Sequence, residues 1–185
     1  VGANKNTIHI IGDHTEYFVQ AYFVYDSKKA GAMTVSHLRF GPRPIRAPYL
    51  IESTNFLGCH QTMFVGRCKM LRLLAPKGVF LLNTAAGSDA AWETLPKDDQ
   101  DEIRTKKLRF FVIDAYKVAR DNGLGGRINT VMQACFFSIS GVLPPNRAVS
   151  AIRESIREAY GKKSEALVNQ NLRAVDESLK NLYEV

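Results

Sequence analysis

The spacing of apolar residues changes period several times along the chain, and each change marks an element. The opening Gly2-Ala3-Asn4-Lys5-Asn6 leads into Ile8, Ile10 and Ile11 and stops at Gly12-Asp13, which predicts a short helix over residues 2–12. Tyr17 to Tyr25 is rich in aromatic and β-branched residues, and Met33 to Phe40 alternates apolar with polar. Two strands are therefore expected, joined by the basic loop Asp26-Ser27-Lys28-Lys29-Ala30-Gly31. Gly41-Pro42-Arg43-Pro44 must break any regular element, because proline fixes its own φ and disfavours helix in the residue before it, so a surface turn is predicted there.

From residue 55 the pattern shifts to short continuous apolar runs, Asn55 to Cys59 and Gly78 to Asn83, as expected of strands buried on both faces. Val65 to Ala75 between them reads as one helix. Pro96-Lys97-Asp98-Asp99-Gln100 opens a helix with an acidic first turn, favourable against the helix dipole, and Arg104, Lys106 and Lys107 stand at its basic end. Leu108 to Ile113 is the next strand and Ala115 to Asn122 the next helix. Strand thus alternates with helix from 55 to 122, which predicts a parallel sheet covered by helices. From Arg127 to Gly141 the apolar positions Ile128, Val131, Met132, Ala134, Cys135, Phe136, Phe137 and Ile139 leave little polar face. This helix is expected to be buried nearly all round until Pro144-Pro145 ends it. Two amphipathic helices close the chain, one marked by Val149, Ile152, Ile156, Ala159 and Tyr160, the other by Val168, Leu172, Val175, Leu179 and Leu182. No repeat, low-complexity tract or linker divides residues 1–185, so a single domain is expected.

With 45% hydrophobic and 10% aromatic residues in 185, the chain can bury a real core, which excludes disorder. No run approaches the roughly 18 to 20 apolar residues of a membrane span, and the first residues lack the apolar core of a secretory signal, so a soluble chain is expected. Cys59, Cys68 and Cys135 form neither a disulfide framework nor a metal or iron–sulfur ligand set, which predicts reduced thiols in a reducing compartment, the cytoplasm or an organelle. The net charge of +7 favours phosphate-bearing partners of any kind. Nucleic acid is not expected, since aromatics such as Phe136 and Phe137 sit on the buried helix rather than on a stacking surface.

Candidate chemistry is sparse. Gly123-Leu124-Gly125-Gly126-Arg127 resembles a dinucleotide loop, but Ile128 stands where a third glycine is needed, and the stretch follows a helix rather than a strand. Gly123 reads as a helix cap. The alternative is that Gly125 and Gly126 let the next helix start against a ligand faced by Arg127 and Asn129. Gly161-Lys162-Lys163-Ser164 lacks the first glycine of a phosphate loop, with Ile156 in its place. Lys28 and Lys29 read either as a solvated loop tip or, with Ser27 and Gly31, as a site for a terminal phosphate. Arg39, Arg43 and Arg46 are expected to face solvent, the alternative for Arg46 being a pair with a neighbouring carboxylate. His9, His14, His37 and His60 show no metal-ligand spacing; His60, at the carboxyl end of a predicted strand, is where open sheets place ligands. No catalytic constellation is complete, so no catalytic and no metal-binding residue is expected in this chain.

At Val1-Gly2-Ala3-Asn4-Lys5-Asn6, Tyr25-Asp26-Ser27-Lys28-Lys29, Thr34-Val35-Ser36-His37-Leu38-Arg39-Phe40-Gly41, Gly125-Gly126-Arg127-Ile128-Asn129 and Ser140-Gly141-Val142-Leu143-Pro144, the chain closely resembles the gamma domain of the pyruvate:ferredoxin (flavodoxin) oxidoreductases. Ala159-Tyr160-Gly161-Lys162-Lys163 and Ala174-Val175-Asp176 extend the likeness from end to end. The resemblance implies a three-layer Rossmann-like α/β sandwich of about five or six strands, mostly parallel, with an antiparallel pair near the N-terminus and two C-terminal amphipathic helices. It implies a module of an enzyme that uses thiamine diphosphate, Mg2+ and 4Fe–4S clusters, carried by other domains, to convert pyruvate and coenzyme A into acetyl-CoA and CO2. The module would hold coenzyme A through Val1, Gly2, Lys28, Lys29 and Asn129, with Ser27 and Arg127 as further contacts.

The implied partners are the other domains of the same enzyme, expected to be a homodimer, and through it ferredoxin, flavodoxin or an NADP-linked flavoprotein. In that family a strand and a Ser-Asp-Gly-Thr loop precede the position of Val1. The resemblance therefore implies a fragment or isolated domain, inactive alone, with part of its coenzyme A cradle missing. Asn169-Gln170-Asn171-Leu172-Arg173 departs from the family in lacking the basic residue often found on the last long helix. The alternative function is a scaffolding domain without a ligand of its own, as in pyruvate:NADP oxidoreductases or sulfite reductase subunits.

Overall fold

The computed structural model describes residues 2–25, 33–162 and 164–185. The alternation of apolar residues on consecutive strand positions decides the architecture. In the strands β4 (Leu74–Asn83) and β5 (Arg109–Ile113), Val79, Leu81, Phe111 and Ile113 point to one face, and Phe80, Leu82, Phe110 and Val112 to the other. A sheet apolar on both faces must be covered on both. With β3 (Thr54–Cys59) and β6 (Tyr183–Glu184) the sheet has the order β3-β4-β5-β6; β3, β4 and β5 are parallel, and β6 lies antiparallel on β5.

The Phe80 face is covered by α2 (Ser88–Ala91), α3 (Lys97–Lys106) and two short 3-10 turns, Thr62–Phe64 and Met70–Leu73. The Leu81 face is covered by α4 (Ala115–Asp121), α5 (Asn129–Ile139) and α7 (Glu165–Lys180). Beyond α5 and α7 lies a further cluster formed with α1 (Gly2–His14), α6 (Pro145–Tyr160) and the hairpin of β1 (Phe18–Tyr25) and β2 (Thr34–Gly41). The expected mixed α/β sandwich, mostly parallel sheet, antiparallel N-terminal pair and closing amphipathic helices are all present. The antiparallel pair is a separate two-stranded sheet, seated on α1, where Val19 approaches Gly12 and Lys5 lies 5.5 Å from the Phe23 ring centroid.

Three local expectations fail. Val65 to Ala75 is not a helix: Gly66 takes a left-handed φ of 75°, and a Cβ there would stand 2.8 Å from Pro96, so the chain turns twice instead of coiling. The last helix does not reach Leu182, because Asn181 ends it by returning its side-chain amide to the Glu177 carbonyl at 2.8 Å, and the residues beyond form β6. Arg39 does not simply face solvent. Its guanidinium donates to the Tyr49 carbonyl at 2.6 Å and to Gln20 at 3.1 Å and stacks on Tyr49, which binds the proline-broken segment to the hairpin. Arg43 and Arg46 are exposed as expected. Among the described residues, Lys77 and Lys107 are the only non-glycine residues with positive φ, a conformation costing each about 1 kcal/mol or more.

The buried helix predicted at 127–141 forms over Asn129–Ile139 and is the centre of the molecule, contributing to the clusters on both of its sides. Replacing Phe137, 1% exposed, with alanine is expected to destabilise the fold by about 3–5 kcal/mol, read as a lowered urea midpoint with unchanged slope.

Candidate functional site

Two helices begin at one place. A Cβ built on Gly2, the first residue of α1, would lie 3.4 Å from Nδ2 of Asn129, the first residue of α5. One turn further on, Asn6 donates to Gln133 Oε1 at 3.2 Å, and Gln133 donates in turn to Thr7 Oγ1 at 3.2 Å. A second turn on, Ile10 and Phe137 share the same apolar cluster. Matched steps of four residues on both helices mean that α1 and α5 run side by side in the same direction. Ser155 of α6 donates to Asn6 Oδ1 at 2.9 Å and so fixes the amide that sets this register.

Parallel neighbours bring two positive dipole ends together, and each helix start carries backbone N–H groups without an intrahelical partner. At α5 the capping position is Ile128, whose side chain has nothing to accept with. Asn129 and Arg127 are exposed beside it, and Gly125 and Gly126 have open space where a Cβ would be. Gly125 holds a left-handed φ of 61° that closes the approach to the helix. Gly123 is the cap the spacing indicates: the Leu124 amide reaches back to Ala119 at 2.8 Å, and a Cβ on Gly123 would strike Gln170 at 2.6 Å.

The structure thus brings together Gly2 and Asn129, with Arg127 two residues away, out of the predicted contacts. Val1, Ser27, Lys28 and Lys29 lie outside the described residues. Of the polar stretch 169–171, Asn169 is exposed and Gln170 half-buried, while Asn171, 3% exposed, accepts from Thr130 Oγ1 at 2.7 Å and donates to the Leu167 carbonyl at 2.8 Å, which anchors α5 to α7.

A second polar knot closes the carboxyl ends of the parallel strands. Buried Asn83, the last residue of β4, donates to the His60 carbonyl at 3.0 Å and accepts the Ala115 amide at 2.9 Å, while its own carbonyl takes the Thr62 hydroxyl at 3.3 Å. Gln61 donates to the Tyr116 hydroxyl at 2.7 Å, joining the end of β3 to α4. His60, after β3, has its pKa lowered to about 4, chiefly by burial, so its imidazole is neutral at physiological pH. Burial raises the thiol pKa of Cys59 and, further, that of Cys135, so neither is a thiolate. Among the described residues no group of three His, Cys, Asp or Glu side chains is placed to hold a metal ion, and no helix is long and apolar enough to cross a membrane. Asn83, Gln61, Tyr116, Asn6 and Gln133 escape the sequence reading; the one signal available for Asn83 is a polar residue directly ending an apolar strand run.

The sequence profile of the family described as "Pyruvate ferredoxin/flavodoxin oxidoreductase" matches residues 1–180. The chain belongs to this family. Among its curated relatives, the pyruvate-flavodoxin oxidoreductase of Nostoc sp. is 52% identical over 185 residues, and the pyruvate:ferredoxin oxidoreductase of Moorella thermoacetica is 49% identical. Each match takes in the whole of this chain but only 15% and 16%, respectively, of the relative's length. Among solved structures, the pyruvate oxidoreductase subunit PORC from Thermotoga maritima superposes with a TM-score of 0.75 over 98% of this chain and 89% of its own, at 17% identity. A 2-oxoglutarate:ferredoxin oxidoreductase from Magnetococcus marinus, solved with 2-oxoglutarate, coenzyme A and succinyl-CoA bound, superposes with a TM-score of 0.70 over 97% of this chain and 28% of its own, at 11% identity. At these identities the likeness is one of fold, and it is the fold expected of the gamma domain of the pyruvate oxidoreductases.

For this family member the two polar knots give separate expectations. Asn83→Ala strands the buried Ala115 amide and is expected to destabilise the fold by roughly 1–3 kcal/mol in chemical denaturation. His60 is expected to titrate by NMR near pH 4. Because its folded pKa is below the unfolded value, its contribution to stability is complete above about pH 6.5 and is lost as pH falls from there towards 4.

Proposed function

We propose that the chain is the coenzyme A-holding module of a thiamine-diphosphate, iron–sulfur enzyme that converts pyruvate and coenzyme A into acetyl-CoA and CO2 and passes two electrons to ferredoxin or flavodoxin. The observation that carries this reading is the paired start of α1 and α5, with Gly2 set against Asn129. Two parallel dipole ends, an uncapped helix start and an exposed Arg127 make a place for a phosphate group, the chemistry that coenzyme A presents three times over. The bound coenzyme A of the Magnetococcus enzyme supports the choice among phosphate ligands. Lys28 and Lys29 are proposed as partners of the adenosine phosphate, with Val1 and Ser27 as further contacts.

In this reading residues 1–185 form one domain with a binding and positioning role. Its groups neutralise phosphate charge, orient the pantetheine arm and exclude water, so that the thiol meets its acyl partner in a fixed geometry. Thiamine diphosphate, Mg2+ and the 4Fe–4S clusters supply the bond cleavage and the electron path from other parts of a longer, dimeric polypeptide in the cytoplasm. A chain with three cysteines cannot ligate a four-cysteine cluster alone.

Calorimetric titration with coenzyme A and dephospho-coenzyme A at two salt concentrations tests the assignment. Binding that weakens without the 3′-phosphate, and weakens with salt, is the expected result. Lys28→Ala with Lys29→Ala is expected to abolish the distinction between the two ligands. Asn129→Ala should lower affinity for both by about 1 kcal/mol, or five-fold. Equal binding by wild type and all variants would remove these residues from the site, and binding of neither ligand, by this chain or by a longer polypeptide that restores the preceding loop, would return the domain to a scaffolding role.

A further inference from the structure

The two lysines with positive φ lie at the same edge of the sheet. Val79 and Arg109 begin the pairing of parallel β4 and β5, and Lys77 and Lys107 each precede that pair by two residues. They reach the left-handed region by unrelated routes. Lys107 ends α3, where its amide bonds back to Arg104 and the Leu108 amide to Ile103. Lys77 sits in a bulge: from Leu74 to Val79 β4 advances five residues while β3, from Thr54 to Phe56, advances two. Gly78 closes that bulge so tightly that a Cβ would lie 2.9 Å from the Ala75 carbonyl oxygen. Glycine or asparagine would relieve either position. A cation at the end of α3 suits the helix dipole, but no helix ends at Lys77, so what the two positions share is an exposed positive charge held at a conformational cost.

We propose that this amino-terminal edge of the parallel sheet is a docking surface for an acidic face carried elsewhere on the same, longer polypeptide. The acids Glu102 and Glu184 at this edge already pair with Lys106 and Arg109, while Arg72, Lys77 and Lys107 make no ion pair among the described residues. Lys106 also donates to the Leu71 and Arg72 carbonyls, which holds Arg72 beside α3. Leu73, 36% exposed, and exposed Pro76 lie among the cations and give the patch apolar contact area of the kind a protein surface uses. We place the occupant on the same polypeptide because the chain accounts for only 15–16% of its relatives' length, and tethering raises the local concentration seen by a small charged patch. β6 runs towards this edge, antiparallel to β5, with the Val185 amide on the Phe110 carbonyl. The inference rests on the chain being one module of a longer protein and not on what that module binds.

Zero-length carbodiimide cross-linking of the full-length protein, read by peptide mass spectrometry, tests it. The expected result is amide links from Lys77 or Lys107 to Asp or Glu outside residues 1–185, with yields that fall several-fold at high salt. In the Lys77→Gly, Lys107→Gly protein, which keeps the turns without strain, amide exchange over residues 72–78 should speed up several-fold. The proposal is overturned if both lysines remain unlinked and acetylate as fast as exposed Lys97, or if links form only between copies or only after an acidic protein is added. Unchanged exchange in the glycine variant would also overturn it. Loss of coenzyme A binding with these links intact would sink the proposed function and leave the docking surface standing; the converse result would do the opposite.

Discussion

The paired helix starts at Gly2 and Asn129 depend on burying one helix nearly all round. α5 is apolar nearly all round, and the few polar groups it carries inward must be paired because water cannot reach them. Gln133, 5% exposed, finds Asn6 and Thr7, and Thr130 finds Asn171. Apolar contact alone would let α1 slide or rotate against α5 with small loss. The amide pairs permit one register, and that register is what sets Gly2 on Asn129.

The sheet obeys a similar division of labour. Its alternating aromatic and aliphatic side chains bind two layers of helix without specifying how the ends of the strands meet. Asn83 does that, since one side-chain amide satisfies the chain leaving β3 and the helix entering after β5. Stability resides in the middle of the strands and geometry at their carboxyl ends, the side on which α/β proteins build sites.

Most elements are legible from period alone, because the apolar faces of β4, β5, α5, α6 and α7 are long enough to show their repeat. The Val65–Ala75 segment misleads since its composition permits a helix; the obstacle is Pro96, thirty residues away, against which Gly66 must fit. β6 is too short to carry a period, and its pairing is set by β5 rather than by its own residues. On the functional side, the family and the glycine turn before Asn129 are readable as motifs. The meeting of Gly2 with Asn129 is not, because the two are separated by most of the chain and joined only by packing. The buried partners Asn6 and Gln133 look like ordinary surface amides until the helices around them are assembled.

The parallel seating of α1 on α5 carries a thermodynamic consequence. Two aligned dipole ends repel, so the register held by Asn6 and Gln133 is maintained against a small electrostatic opposition. An anion placed between the two helix starts turns that opposition into attraction. By reciprocity, whatever free energy α1 seating lends to the anion, the anion returns to the seating of α1. Because the β1–β2 hairpin rests on α1, that coupling reaches the hairpin as well, and occupancy at one end of a helix pair becomes rigidity in a sheet outside the parallel one.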